Sequence, residues 1–133
     1  MFTISCLVDN NTLDAASYKA EFGVSFSIQT TDGRILFDTG LSGSVLLYNA
    51  ASLGIDLGGM NALVLSHAHY DHTGGLQAIM KYSQPALPLY THPDIFRPRF
   101  SIKEGKTRSI GMPFTQEELS KHFSLHLEAE ALE

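Results

Sequence analysis

The hydrophobic and polar positions of the first forty residues alternate in the manner of β-strands. Residues 2–8 and 23–31 are rich in strand formers. Asp32-Gly33 predicts a tight hairpin turn into a third strand at residues 34–37. The polar segment 12–21 between the first two strands fits either a loop or a short helix. We therefore expect the second and third strands to pair antiparallel.

The pattern then changes to that of a helix followed by a buried strand. Apolar positions predict a helix over residues 45–53, with Ser42 or Ser44 as its N-cap and Gly54 as its end. The apolar run at 62–65 predicts a further strand. A helix between two strands is the first sign of a layered sheet.

Strands and helices continue to alternate toward the C-terminus. Thr73 is the expected cap of a helix over residues 76–80, and a short strand is predicted at 88–91. Thr115 begins a capping box for a short helix, and residues 123–129 alternate like a strand with one buried face. This order favours an α/β fold, a mixed sheet with flanking helices.

A basic segment interrupts the regular pattern, and we expect residues 97–113 to be irregular. A basic loop can bind a phosphate or a carboxylate, although it can equally be an ordinary solvated loop. Its basic residues are Arg97, Arg99, Lys103, Lys106 and Arg108.

Composition narrows the class of function. The chain has 133 residues with 44% hydrophobic and 17% charged positions, which fits one globular domain at most. The net charge of −5 argues against a nucleic-acid or anionic-membrane surface and favours small-molecule chemistry. Cys6, the single cysteine, lies in an apolar strand, so we expect a buried thiol and a cytoplasmic protein without an internal disulfide. The N-terminus has no basic segment followed by a long apolar core, and no run is long enough to span a bilayer, so we expect neither a signal peptide nor a membrane span.

Candidate chemistry is concentrated in the stretch Ser66-His67-Ala68-His69-Tyr70-Asp71-His72-Thr73-Gly74-Gly75, directly after the buried strand. If the chain leaves the strand extended, His67 and His69 point the same way and can hold one cation. Asp71 and His72 follow where the chain turns, and can hold a second, neighbouring cation. Imidazole and carboxylate ligands suit zinc, and also manganese or iron. A histidine-rich loop that merely caps a helix is the disfavoured alternative.

The sequence His67-x-His69-x-Asp71-His72 resembles the signature of the metallo-β-lactamase superfamily. These domains are αββα sandwiches with a site for one or two metals between their sheets. Leu36-Phe37-Asp38-Thr39-Gly40 is similar to a family element whose Asp supports the metal-binding loop without binding the metal. The position of Asp38 at the end of a strand suits that role, because a carboxylate there can fix an imidazole tautomer.

Further segments resemble one branch, which includes dihydropterin and ribofuranosyl-aminobenzene phosphate synthase-like proteins. They are Leu89-Tyr90-Thr91-His92-Pro93, Phe96-Arg97-Pro98-Arg99-Phe100 and Ile110-Gly111-Met112-Pro113-Phe114.

The resemblance implies a metal-dependent hydrolase. His67 and His69 would hold one metal and Asp71 and His72 the other, so that a water becomes hydroxide near neutral pH. Asp71 would also act in catalysis by orienting the hydroxide or taking its proton. The substrate would be an ester, a lactone or a phosphate ester, and the basic segment favours a phosphorylated one. The alternative is a non-catalytic metal-binding or interaction module, so whether this chain is an enzyme is left open.

The resemblance also implies ligands from a second half of the domain, namely a third His, a bridging Asp and a late His. None has a clear counterpart here, and Asp94 is the last Asp. We expect His122 and His126 to be exposed rather than ligands. His92 follows a strand near the motif, where it can contact substrate or form the turn before Pro93, the favoured role.

Residues 1–133 are therefore expected to be one domain that is incomplete at its C-terminus, the N-terminal half of the sandwich. A half-sandwich leaves one face of its sheet apolar and uncovered, which soluble monomers avoid. We expect a homo-oligomer or a complementary chain to cover it, and a second copy could contribute ligands.

Overall fold

A mixed sheet forms the centre of the protein, and the computed structural model describes residues 1–130. Within that range the strands are β1 Thr3–Val8, β2 Ser25–Gln29, β3 Arg34–Phe37, β4 Ala62–Val64, β5 Leu87–Thr91, β6 Phe100–Lys103, β7 Lys106–Ser109 and β8 Phe123–Leu127. Six of them form the main sheet in the order β1-β2-β3-β4-β5-β8, and β6 and β7 form a separate pair.

Helices join the strands of the parallel part of the sheet. They are α1 Ser44–Ser52, α2 Tyr70–Thr73, α3 Leu76–Tyr82 and α4 Gln116–Ser120, with 3₁₀ turns at Leu57–Gly59 and Pro93–Phe96. No helix within residues 1–130 has both the length and the apolar content needed to cross a bilayer. The predicted α/β fold, a mixed sheet with flanking helices, is confirmed.

The sheet changes direction in its middle. Strands β1, β2 and β3 pair antiparallel, and the β2–β3 turn lies where Asp32-Gly33 predicted it. Strands β3, β4, β5 and β8 run parallel, with Leu36 opposite Leu63 and Leu63 opposite Leu89. The carboxyl ends of β3, β4 and β5 therefore lie side by side, and the histidine motif begins at this edge of the sheet.

One face of the sheet is buried and the other is not. Leu36, Leu63 and Leu89 have no exposed surface, since they point toward the helices. Their neighbours along the strands, such as Ile35 and Val64, point to the opposite face and are only half-buried. No element within residues 1–130 covers that opposite face, which we call the open face.

Two helix caps differ from the prediction. Gly43 precedes α1 as its N-cap, while the Ser42 hydroxyl accepts a longer hydrogen bond of 3.4 Å from the Val45 amide. Thr73 is the last residue of α2, and Gly75 caps α3. The cap at Thr73 was wrong because the motif itself folds into a short helix first. The capping box at Thr115 is confirmed.

Three further predictions are corrected or decided. The segment predicted to be irregular contains the β6–β7 hairpin, whose strands are too exposed to alternate in hydrophobicity. Cys6 is exposed because β1 is an edge strand and Cys6 pairs with Phe26, a residue of the open face. Residues 12–21 form a loop with a turn and no helix.

We expect truncation of a side chain to alanine to lower the free energy of unfolding more on the buried face of the sheet than on the open face. Leu63→Ala should lower the free energy of unfolding by about 2–5 kcal/mol, because it leaves a cavity in a fully buried core. The control Ile35→Ala removes similar apolar bulk from the open face and should cost less than half as much. Urea denaturation of both variants measures the difference, and equal losses would show that the open face is covered.

Candidate metal centre

An extended segment carries the first two histidines away from the sheet. After β4, the chain stays extended as far as His69, whose φ is −59° and ψ is 137°. Ala68 has no exposed surface, whereas His67 and His69 on either side of it are only half-buried. Alternation along the extended chain therefore places both imidazoles on the same side.

The short helix α2 then turns the next two side chains toward them. The centroid of the His67 ring lies 4.7 Å from that of His69 and 4.1 Å from that of His72. Asp71 Oδ2 is 3.8 Å from His72 Nε2. The four side chains singled out in the motif thus lie together in one half-buried cluster, which we call the histidine cluster.

Asp38 supports the cluster from beneath, and its side chain is 1% exposed. Its Oδ1 accepts a hydrogen bond of 2.8 Å from the Ser66 amide. Its Oδ2 accepts one of 2.6 Å from the Ser66 hydroxyl and one of 2.8 Å from His72 Nδ1. Three donors are thus satisfied by one buried carboxylate, as a buried charge requires.

These bonds fix the tautomers of two imidazoles. The Ser66 hydroxyl has one proton, which it donates to Asp38, so it accepts at 2.8 Å from His67 Nδ1. His72 likewise donates its Nδ1 proton to Asp38, because a carboxylate can only accept. In both rings the proton is on Nδ1, and the lone pair of Nε2 is left for a cation.

One ligand atom each of Asp38, His67 and His72 can be chosen so that all lie within 4.8 Å of one another. We assign Asp38 a supporting role rather than a ligand role. Three hydrogen bonds already occupy its oxygens, and it is almost fully buried. His69 and Asp71 are not part of this group of three, although the His69 ring lies against His67 and the Asp71 carboxylate lies beside His72.

Burial and the neighbouring histidines lower the pKa of the His67 imidazole and so favour its neutral form. Desolvation is the largest cause that lowers the pKa of its imidazole, and the nearby His72 and His69 lower it further. The carboxylates of Asp38 and Asp71 oppose this shift and do not outweigh it. A neutral imidazole is the form that can bind a metal, so this shift favours the binding-competent form of the ring.

Two loops of the cluster, residues 38–40 and 72–75, interlock through their backbones. The Thr39 amide donates to the His72 carbonyl at 2.9 Å, and the Gly75 amide donates to the Gly40 carbonyl at 3.2 Å. A Cβ at Gly75 would lie 2.2 Å from the Thr39 carbonyl oxygen, so only glycine fits there. Asp38 itself has a φ of 56°, a left-handed conformation that strains a non-glycine residue.

The cluster opens into a cleft of about 430 Å³. His69 and Asp71 line it together with Arg108 of the β6–β7 hairpin. Phe22 reaches the cleft from the loop before β2, where Gly23 packs against the Asp71 carbonyl so closely that a Cβ would meet it at 1.7 Å. A small molecule can therefore contact the cluster and the hairpin at once.

The other three histidines lie outside the cluster. His92 is exposed, and its Nδ1 accepts a hydrogen bond from the Asp94 amide at 3.1 Å, so it forms the turn before the 3₁₀ helix. Its contact with substrate stays a prediction. His122 is exposed at the end of α4, as expected. His126 is half-buried rather than exposed, because it stacks on Tyr90 with ring centroids 4.5 Å apart.

Sequence analysis assigned no individual role to three residues that contribute to the site, namely Ser66, Tyr70 and Arg108. Ser66 connects Asp38 to His67, and its only signal was its position directly before the motif. Tyr70 hydrogen-bonds through its backbone to the Ile110 carbonyl at 3.0 Å and so ties the motif to the hairpin. Arg108 was one of five equivalent basic residues, and only the fold distinguishes it.

A family model described as the metallo-beta-lactamase superfamily matches residues 18–120 of this chain. The match covers more than half of the chain, which therefore belongs to the metallo-β-lactamase superfamily. The resemblance inferred from the histidine motif is confirmed.

Two proteins of Methanocaldococcus jannaschii are similar in sequence. A 7,8-dihydropterin-6-methyl-4-(beta-D-ribofuranosyl)-aminobenzene-5'-phosphate synthase is 38% identical over 98 residues, 68% of this chain and 33% of that protein. An uncharacterized protein is 33% identical over 98 residues, 74% of this chain and 37% of its own length. The chain thus spans about a third of the length of these relatives.

Solved metallo-β-lactamases share the fold. The enzyme with a HARLDQ motif from Cronobacter sakazakii has a TM-score of 0.55 at 22% identity, covering 80% of this chain and 39% of that one. MIM-1 from Novosphingobium pentaromativorans has a TM-score of 0.55 at 19% identity, covering 83% and 40%. At these identities the likeness shows the fold alone, and it is confined to part of the larger domains.

The lowered pKa of His67 predicts a specific pH dependence of stability without metal. Above the ordinary value of about 6.5 the ring is neutral in both states. As the pH falls below that value, the unfolded chain takes up a proton that the folded ring resists, so the free energy of unfolding decreases. Urea denaturation in a chelator, from pH 7.5 to 5, should show this decrease. His67→Gln should remove part of it, and identical pH profiles would contradict the assignment.

Proposed function

We propose that the histidine cluster binds one or two divalent metal ions, zinc foremost, and that the protein is a metal-dependent hydrolase. His67 and His69 would hold one ion, and Asp71 and His72 the other. The carrying observation is that Asp38 and Ser66 bind Nδ1 of two imidazoles and leave each Nε2 free within one cluster. Manganese and iron are also compatible with these donors.

The donor set fits such ions in three respects. It combines neutral imidazoles with one carboxylate, which are ligands that zinc takes in proteins. The Nδ1 hydrogen bonds to a carboxylate and a hydroxyl are the outer interactions that orient metal-binding histidines. The pKa of His67 is lowered, so a proton does not compete with the metal near neutral pH.

A bound metal of this kind supplies a Lewis acid and lowers the pKa of a water near the substrate. The protein's own residues provide the rest. Asp71 lines the cleft and is placed to orient that water or accept its proton. Asp38 holds the loop in position, and the substrate that we propose is a small molecule with an ester, lactone or phosphate ester bond.

The relative from Methanocaldococcus jannaschii supports a small and phosphorylated substrate. Its name describes the synthesis of a ribofuranosyl-aminobenzene 5'-phosphate joined to a dihydropterin. That activity belongs to a protein about three times as long as the matched region, so here it indicates only a class of molecule.

A second candidate, a non-catalytic metal-binding or interaction module, is favoured by the open face. Apolar side chains of β3, β4 and β5 line a groove of about 380 Å³ there, and nothing within residues 1–130 covers it. We propose that a second copy or a complementary chain covers this face. Neither His122 nor His126 joins the histidine cluster, so further ligands would have to come from that partner.

Metal content tests whether the histidine cluster binds an ion. Protein dialysed against zinc and then against metal-free buffer should retain about one or two ions per chain by elemental analysis. His69→Ala should lose at least one of them, because it removes an imidazole from the cluster. His122→Ala, which removes an exposed imidazole elsewhere, should retain them.

The hydrolase proposal has a further requirement. The zinc-bound protein should hydrolyse an aryl phosphate ester or a lactone, and a chelator should abolish the activity. A folded protein that retains no metal from excess zinc would contradict the proposal. Retention of metal without hydrolysis of any ester would support the binding module instead.

A further inference from the structure

Five basic residues surround the β6–β7 hairpin in sequence, and the fold separates them. Arg97 and Arg99 line a different cavity, beside Phe114. Lys103 and Lys106 pair with each other next to the turn of the hairpin. Arg108 alone lines the same cleft as His69 and Asp71.

The hairpin register turns Arg108 toward that cleft together with a hydroxyl. Ser101 and Arg108 are directly opposite each other, so their side chains lie on the same face of the hairpin. Both line the cleft. The face therefore offers a cation and a hydrogen-bond donor at one place.

Tyr70 holds the guanidinium in position. Arg108 Nη2 donates a hydrogen bond of 3.3 Å to the Tyr70 hydroxyl, and its Cζ lies 5.7 Å from the centroid of the ring. Within residues 1–130 no carboxylate forms an ion pair with Arg108. A guanidinium has five N–H donors, so most of them are left for a ligand.

The charged side chains that line the cleft determine where an anion can bind. The chain has a net charge of −5, so an anion gains no general attraction and needs a local cation. Asp71 repels an anion, whereas Arg108 attracts it. Phe22, Tyr70 and Ile110 also line the cleft and offer apolar surface to the rest of a ligand.

We propose that Arg108 is a specificity-determining residue that binds the oxyanion, phosphate or carboxylate, of an aromatic or similarly apolar small molecule. The planar guanidinium matches either oxyanion with two parallel hydrogen bonds, and Ser101 adds a third donor. This inference rests on the proposed function, since it takes the histidine cluster as the reacting end of the cleft. Tyr70 is a positioning residue for Arg108.

The test is a titration of the full chain with phenyl phosphate and with benzoate, in which backbone amide shifts in NMR spectra report binding. Each titration is carried out once with a chelator and once with zinc. Arg108→Gln should weaken binding of the preferred probe by about tenfold or more, because it removes charge-assisted hydrogen bonds. Lys106→Gln removes the same charge from the same hairpin, and we expect a change of less than about twofold. Arg108→Lys should recover part of the affinity, since it restores charge without the planar geometry.

The two probes distinguish the oxyanions, because the group that binds more tightly identifies the preferred substrate class. Equal losses in Arg108→Gln and Lys106→Gln, or no binding of either probe, would overturn the inference. The zinc content of the same samples distinguishes failure of this inference from failure of the proposed function. If binding depends on Arg108 but the protein retains no zinc, the hydrolase proposal is contradicted and the anion site is supported. If the protein retains zinc normally but Arg108→Gln has no effect on binding, the anion site is contradicted and the metal site is supported.

Discussion

The buried carboxylate of Asp38 is the interaction on which the site depends. It lies at the end of β3, in a left-handed conformation, and accepts hydrogen bonds from both Ser66 and His72. A charge that is 1% exposed is costly without such partners, so the carboxylate and the motif stabilise each other's position. The same bonds place the protons of two imidazoles on Nδ1. The same contacts therefore stabilise this part of the fold and leave both Nε2 atoms available to a cation.

The parallel half of the sheet brings those contacts together. Because β3 and β4 are neighbours and parallel, Asp38 and Ser66 follow adjacent strand ends although 28 positions separate them. Close approach of the two loops requires glycine at residues 74 and 75, since a side chain there would collide with the backbone of the β3 loop. The helix α2 can then begin within the motif and turn Asp71 and His72 toward the cluster.

The open face leaves apolar side chains of the sheet uncovered within residues 1–130. The helices bury Leu36, Leu63 and Leu89, while the alternate residues of the same strands point to a face that nothing within residues 1–130 covers. The chain spans about a third of the length of its curated relatives, 33% and 37%. The proposal that a second copy or a complementary chain covers this face therefore also proposes that the partner stabilises the sheet.

Much of the fold was predictable because its signals are local. Asp32-Gly33 specifies a hairpin, the apolar run before the motif specifies a buried strand, and Thr115 with Glu118 specifies a capping box. The β6–β7 hairpin was missed because both of its faces are largely exposed, which removes the alternation that marks a strand.

Part of the site was also predictable because its signals are local. The spacing of His67 and His69 on an extended chain predicted their common orientation, and the strand end predicted the support from Asp38. The tautomers could not be predicted, because they depend on Ser66 donating its single proton to Asp38 rather than to His67. The sequence could not single out Arg108 from the five basic residues. Its position at the cleft depends on the register of the hairpin and on contact with Tyr70, which are known only from the folded structure.

The most direct test of the account is the protonation of the imidazoles in metal-free protein, read from ¹⁵N NMR correlations of the histidine rings. The account predicts that His67 and His72 carry their proton on Nδ1. It also predicts that Asp38→Asn, whose single carbonyl oxygen cannot serve three donors, disturbs both rings, whereas Asp56→Asn, which alters only an exposed turn, disturbs neither. Protons on Nε2 in the native protein, or rings unaffected by Asp38→Asn, would contradict the central role of Asp38.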